Sequence, residues 1–155
     1  MTYSEPTVAD TIKTHFVPVQ INTQEQAARS MIECFHQVWT PDLRILSTQG
    51  MELYHWMGYL PPFEFLPQLL VAQGYACLAL EDPTGAAEVY RQVLERFPTS
   101  AVAPEAQYFL AVSLYKHSHK ASDLLDNWHQ VQTRYPNSLW RLKQSFIEKT
   151  AGSHS

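Results

Sequence analysis

The chain has 155 residues, a formal net charge of −4, and is 45% hydrophobic and 12% aromatic. That much apolar material supports a buried core and excludes overall disorder. A mildly acidic balance with no Lys/Arg stripe lacks the electrostatic footprint of a nucleic-acid binder. No apolar run approaches the roughly 18 residues that span a bilayer. The start, MTYSEPTVAD, lacks the basic and apolar regions of a secretory signal. The expectation is therefore a cytoplasmic protein with no membrane or nucleic-acid partner. Two cysteines, Cys34 and Cys77, are too few for a disulfide scaffold. Both fall in apolar helical patterns and are expected to be buried free thiols.

In chain order, residues 4–15 (SEPTVADTIKTH) predict a short helix, with Ser4 as cap, Pro6 in the first turn and Val8/Ile12 as an apolar pair. Residues 16–22 (FVPVQIN) read as a strand, and Pro18, which cannot donate to a ladder, favours an edge or a strand end. Residues 23–37 predict a helix, because Ala28, Met31, Ile32 and Phe35 recur at i, i+3, i+4 and i+7. TPDLRIL, the turn STQG and MELYHWMGYL read as a β-hairpin, with Leu53, His55 and Met57 alternating with Tyr54, Trp56 and Gly58. Beyond about residue 66 the pattern is helical throughout. Residues 61–80 predict a long helix with a kink or restart at Pro67. Further helices are expected over 86–97, 104–117, 122–135 and 139–149, with AGSHS as a frayed tail. The expected division is 1–66 and 67–150, in an α+β, mostly α class.

The second half repeats itself. VYRQVLERFPTS (89–100) aligns with NWHQVQTRYPNS (127–138), keeping Gln92/Gln130, Val93/Val131, Arg96/Arg134, Pro98/Pro136 and Ser100/Ser138. Tyr90/Trp128 and Phe97/Tyr135 keep an aromatic. This segment resembles the tetratricopeptide repeat (TPR) family: Gly74, Ala86, Tyr90 and Pro98, then Ala111, Leu124, Trp128 and Pro136, fall at the family's spacing, with Leu124 in place of the usual Ala. Three residues are added before the second A helix and one within that pair, giving a long form similar to the TPRs of bacterial cell-envelope proteins. Two helix pairs cannot close both ends of such a stack, so 139–149 is expected to close one end, with Phe146 standing where Tyr108 stands one repeat earlier. The first half is the candidate cover for the other end.

The first half resembles the C-terminal part of a thioredoxin over about residues 4–70. HFVPVQIN, VWTPDLRIL and GYLPPFEFL match that family's third strand, its cis-proline loop with the fourth strand, and the start of its last helix. The resemblance implies a cis bond at Thr40–Pro41, a structural cis-proline loop. The family's Cys-x-x-Cys and central strand have no counterpart here, and redox exchange needs a poised thiolate with a resolving cysteine. The missing strand leaves three routes: direct pairing of the remaining strands, strand sharing in a homodimer, or a longer native chain. A smaller sheet with dimerisation is the expectation.

Other constellations are weak. His117 and His119 flank a polar turn without the three or four fixed ligands a zinc site needs. His36 has no nucleophile in a recognisable context, and His55 reads as a strand-face residue. Glu52, Glu64, Glu81, Asp82 and Glu88 are scattered, and five glycines form no phosphate loop. No catalytic residue, cofactor or metal ligand is assigned. The TPR resemblance implies that the A helices line a concave face, carrying Val71, Tyr75 and Leu78, then Glu105, Tyr108, Val112, Tyr115 and Lys116. Tyr75, Tyr108, Tyr115 and Lys116 are the candidate groove for a protein or peptide partner. The expected function is a non-catalytic interaction scaffold. The alternative is a thioredoxin-family thiol oxidoreductase or chaperone whose N-terminal redox half is missing from this chain.

Overall fold

The computed structural model describes residues 2–146. It is mostly helical with one small antiparallel sheet, and it divides into two compact units, Met1–Leu66 and Pro67–Ser155. The expected tail AGSHS and the end of the expected last helix lie outside the described residues.

The first unit opens with a 3-10 turn at Thr2–Ser4 and helix α1, Pro6–His15. The cap of α1 is Glu5, not the expected Ser4. Its carboxylate accepts from the Val8 N–H at 3.0 Å and from the Thr7 hydroxyl, while Pro6 takes the first helical position, where no N–H is needed. These two donors favour the charged form and hold the Glu5 carboxyl below its usual range.

Residues 16–22 are not a strand. Among the described residues the hairpin strands pair only with each other and no other strand offers this segment a ladder, and every residue from 17 to 22 is exposed. The expected helix over 23–37 is also shorter. The Asn22 side chain accepts from the Gln24 N–H and donates to Glu25, turning the chain into a 3-10 turn at Gln26–Ala28. Helix α2 covers only Arg29–Cys34. It stops at His36, whose φ of 48° is left-handed. The His36 N–H donates to Glu33 O at 3.3 Å and the Gln37 N–H to Ile32 O at 3.0 Å, a Schellman ending built without glycine.

Strands β1 (Asp42–Leu46) and β2 (Glu52–Met57) form the predicted hairpin, with Leu43 opposite Trp56 and Ile45 opposite Tyr54. Gly50, at φ 81°, closes the turn between them. Tyr54 and Trp56 form the inner row, their rings 6.1 Å apart, and Trp56 meets Phe65 at 5.8 Å.

Helix α3 spans Pro62–Ala79 and runs unbroken through Pro67, so no restart occurs there. It ends as α2 does. Glu81 is left-handed at φ 61°, the Glu81 N–H donates to Leu78 O, and the Asp82 N–H donates to Cys77 O. Asp82 then caps α4, its carboxylate accepting from the Gly85 N–H at 2.8 Å. This cap starts α4 at Pro83, three residues before the expected 86, and the helix ends at Arg96. Helices α5 (Ala103–Ser118), α6 (Ala121–Arg134) and α7 (Leu139–Lys143) follow.

The sequence repeat is also a structural repeat. Helices α4 and α6 have 14 residues each, and both bounds shift by 38 (83 to 121, 96 to 134). Their C-caps match: Phe97 at φ −133°, ψ 50° and Tyr135 at φ −131°, ψ 55°. Arg96 covers the Phe97 ring at 5.1 Å, and Arg134 covers Tyr135 at 5.5 Å. The left-handed residues Glu81 and His119 stand 38 apart as well. One core runs through Leu70, Val71, Ala86, Tyr90, Val93, Ala103, Ala106 and Leu110. In the next repeat Trp128 and Val131 are buried at the positions of Tyr90 and Val93.

Candidate interaction surface

Gly74 exists to admit Tyr90. A Cβ there would lie 2.5 Å from the tyrosine ring, so only hydrogen lets α4 approach α3 at this point. From Tyr90 an aromatic chain crosses the helix pairs. Phe109 lies 6.2 Å from Tyr90 and 4.4 Å from Tyr75. Tyr108 stacks on Trp128 at 5.0 Å and meets Trp140 of α7 at 5.0 Å. Offset and edge contacts of this kind add attraction beyond burial alone. Burial pushes the Tyr108 phenol up, since a phenolate there would lose solvent.

The expected groove residues therefore fall into two groups. Tyr75 and Tyr108 are half-buried and committed to the aromatic chain, whereas Tyr115 and Lys116 are exposed at the last turn of α5. Lys116 suits the negative end of that helix. Val71 does not line a groove: it is 0% exposed, within the core. Leu78, Glu105 and Val112 are half-buried. Sequence patterning finds the α5 face but not Phe109 and Trp140, which hold Tyr75 and Tyr108. The signal was present as an unassigned aromatic surplus in α5 and α7.

Polar contacts lock the repeats together. The Tyr135 hydroxyl donates to Pro98 O at 3.1 Å, joining the second repeat to the turn that ends the first. The Gln144 side chain is fully buried and donates to Trp128 O at 2.7 Å, holding the segment after α7 on α6. Phe146, expected to stand in for Tyr108, is 54% exposed and meets Trp128 edge-on at 5.9 Å. His117 Nδ1 lies 3.3 Å from the Thr84 hydroxyl.

In the first unit the Thr40–Pro41 bond is cis, and Thr40 is exposed beside Val38 and Trp39, which are 76% and 71% exposed. In the same unit an open cavity of about 390 Å³ is lined by Cys34, Phe35, His36, Arg44, Glu52, His55 and Met57. Cys34 is exposed, which corrects the expectation of a buried thiol, because α2 turns its Cys34 position outward. Cys77 is half-buried, and burial, with the nearby Asp82 charge, pushes its thiol up. Arg44 organises the cavity wall. It donates to Asp42 at 2.8 Å, to Glu52 and to Phe35 O at 2.9 Å, and lies over the Phe35 ring. Burial opposes its charge, but the two carboxylates more than offset this and raise its pKa. His55 pairs with Glu52 at 3.0 Å. Among the described residues no three His, Cys, Asp or Glu side chains gather as a metal ion would need, and no helix is long and apolar enough to cross a membrane.

Compared with family models, with curated proteins and with solved structures, the chain finds no match in any of the three.

Proposed function

We propose that this chain is a non-catalytic protein-interaction module whose TPR-like helix pairs present a partner surface. The observation that carries this reading is the 38-residue recurrence of helix bounds, left-handed stops and aromatic caps in α4 and α6. Stacked helix pairs of this kind place successive first helices along one face, and extended or helical partners dock there. The exposed pair Tyr115 and Lys116 is the accessible part of that face; Tyr75 and Tyr108 support it from below. An aromatic ring beside a cation suits a partner segment carrying acidic and apolar side chains.

The thioredoxin-like reading of the first unit keeps α2, the Thr40–Pro41 loop, the hairpin and the start of α3 in order. It loses its third strand at residues 16–22. The test of the interaction reading is affinity capture with the intact chain and with Tyr115→Ala/Lys116→Glu. Proteins retained by the parent should drop at least tenfold with the double variant while circular dichroism stays unchanged. Equal retention by both would defeat the reading.

One observation favours thiol chemistry as a second reading: Cys34 is exposed on the cavity that also carries His36, His55 and Arg44. A reactive cysteine needs an accessible, electropositive setting. Here Arg44 is already shared between two carboxylates, which weakens that setting. Alkylation kinetics at pH 7 separate the readings. Cys34 reacting at the rate of a small free thiol fits the interaction module, and a rate a hundredfold faster fits thiol exchange.

A further inference from the structure

Residues 17–21 hold three apolar side chains in the open. Val17 is 90% exposed, Val19 78% and Ile21 40%. Isolated exposed apolar residues are common, but three alternating β-branched ones on a fully exposed segment are not. Among the described residues their backbone groups have no hydrogen-bond partner either: the Phe16 N–H is the last to be satisfied by α1, and Asn22 O is the next acceptor used. The segment follows an extended residue, Phe16, at φ −137°, ψ 158°. Pro18 fixes its own φ and drives Val17 away from helix.

Alternation decides which edge of this segment can pair. In an extended chain the N–H and C=O groups of residues 17, 19 and 21 point to one edge, and those of 18 and 20 to the other. Pro18 removes a donor only from the second edge. The first edge is complete, and it belongs to the same three residues whose side chains share one apolar face.

That edge is complementary to itself. We propose that residues 17–21 pair antiparallel with the same residues of a second copy of this chain, on a twofold axis through Val19. Val19 then faces Val19, and Val17 faces Ile21 on both sides. Each of these three opposed pairs exchanges two backbone hydrogen bonds, as hydrogen-bonded pairs in an antiparallel ladder do. Six β-branched side chains come together on one face, and the prolines lie on the outer edges, where they block growth into a larger sheet. The hairpin is a poorer partner, because its strands carry Asp42, Arg44, Glu52 and His55. The short contact predicts a weak, concentration-dependent dimer, at the low end of interface sizes. This pairing does not depend on the helical repeat.

The experiment is sedimentation equilibrium of the full chain from about 1 µM to 500 µM, a range covering weak association constants. The mass should rise from 17.8 kDa towards twice that value. Val19→Lys places two like charges on the axis and should weaken the dimer at least tenfold, with an unchanged circular dichroism spectrum. In a Cys34→Ser/Cys77→Ala background, Val19→Cys should form an intermolecular disulfide under mild oxidant. The expected Cα separation of about 5.5 Å across the pair suits that bond. Gln20→Cys, which has no copy of itself opposite, should not. A monomer throughout the range, a dimer indifferent to Val19→Lys, or equal cross-linking through Gln20→Cys would each overturn the proposal. The first of these would leave a strand of another protein as the occupant.

Discussion

The two units use apolar residues in opposite ways. In the second, Tyr90, Val93, Ala103, Ala106, Ala111 and Val131 are fully buried, the first four of them in a core shared by successive helices, although Leu139 and Leu142 of α7 stay exposed. In the first, among the described residues, Val8, Ala28, Phe65 and Leu66 are the only buried apolar side chains, while Val17, Val19, Val38, Trp39 and Tyr59 remain exposed. A repeated helix pair carries its own covering surface in the next copy of the pattern. A short mixed unit has no such guarantee, and several of its apolar side chains stay uncovered. Stability is thus expected to concentrate in the repeats.

The largest effect expected to sharpen this contrast is at Trp128. Trp128→Ala, at 8% exposure, should cost about 3–5 kcal/mol in denaturant melts. A cost below about 1 kcal/mol would mean that the repeat core is not where the stability lies. A second test targets the close approach of α3 and α4. Gly74→Ala forces its methyl into the Tyr90 ring, an overpacking cost of about 1–3 kcal/mol set against about 1 kcal/mol of helix propensity. With Tyr90→Ala already present, the same change should become stabilising by about 1 kcal/mol. A double-mutant cycle with coupling near zero would refute the contact. For the first unit, Trp39→Ala removes a side chain of the same type as Trp128 but 71% exposed, and should change stability by less than about 0.5 kcal/mol. A loss comparable to that at Trp128 would erase the contrast. The smallest effect is at Glu5. Its folded pKa is lowered by the Thr7 hydroxyl and the Val8 N–H, so its contribution is present above the unfolded value of about 4.3. It is lost as pH falls through the lower folded value. An NMR titration of the Glu5 carboxyl should show a midpoint below about 4.3, and one at or above it would remove the cap.

Helices α3, α4 and α6 were readable because Asp-Pro, Phe-Pro and Tyr-Pro steps follow them, and α5 because it lies between two of these signals and ends in the polar run His117–Lys120. The hairpin was readable from alternation around STQG. The early start of α4 was missed because the Asp82 side chain, and not an apolar residue, sets it. The stop at His36 was hidden because non-glycine residues rarely carry a positive φ, whereas the stop at Glu81 was signalled by the Asp-Pro step that follows it. Among the groove candidates, Tyr115 and Lys116 stand exposed, while the packing of Tyr75 and Tyr108 on Phe109 and Trp140 depends on contacts between helices that periodicity does not encode.

By itself the sequence determined the mostly helical class, the short hairpin and the 38-residue recurrence, because local periodicity and turn chemistry act over a few residues. Tertiary structure alone decided that FVPVQIN has no ladder, that Cys34 is exposed and that Val71 is core. A strand exists only if a neighbouring edge accepts its hydrogen bonds, and burial exists only if another element covers the side chain.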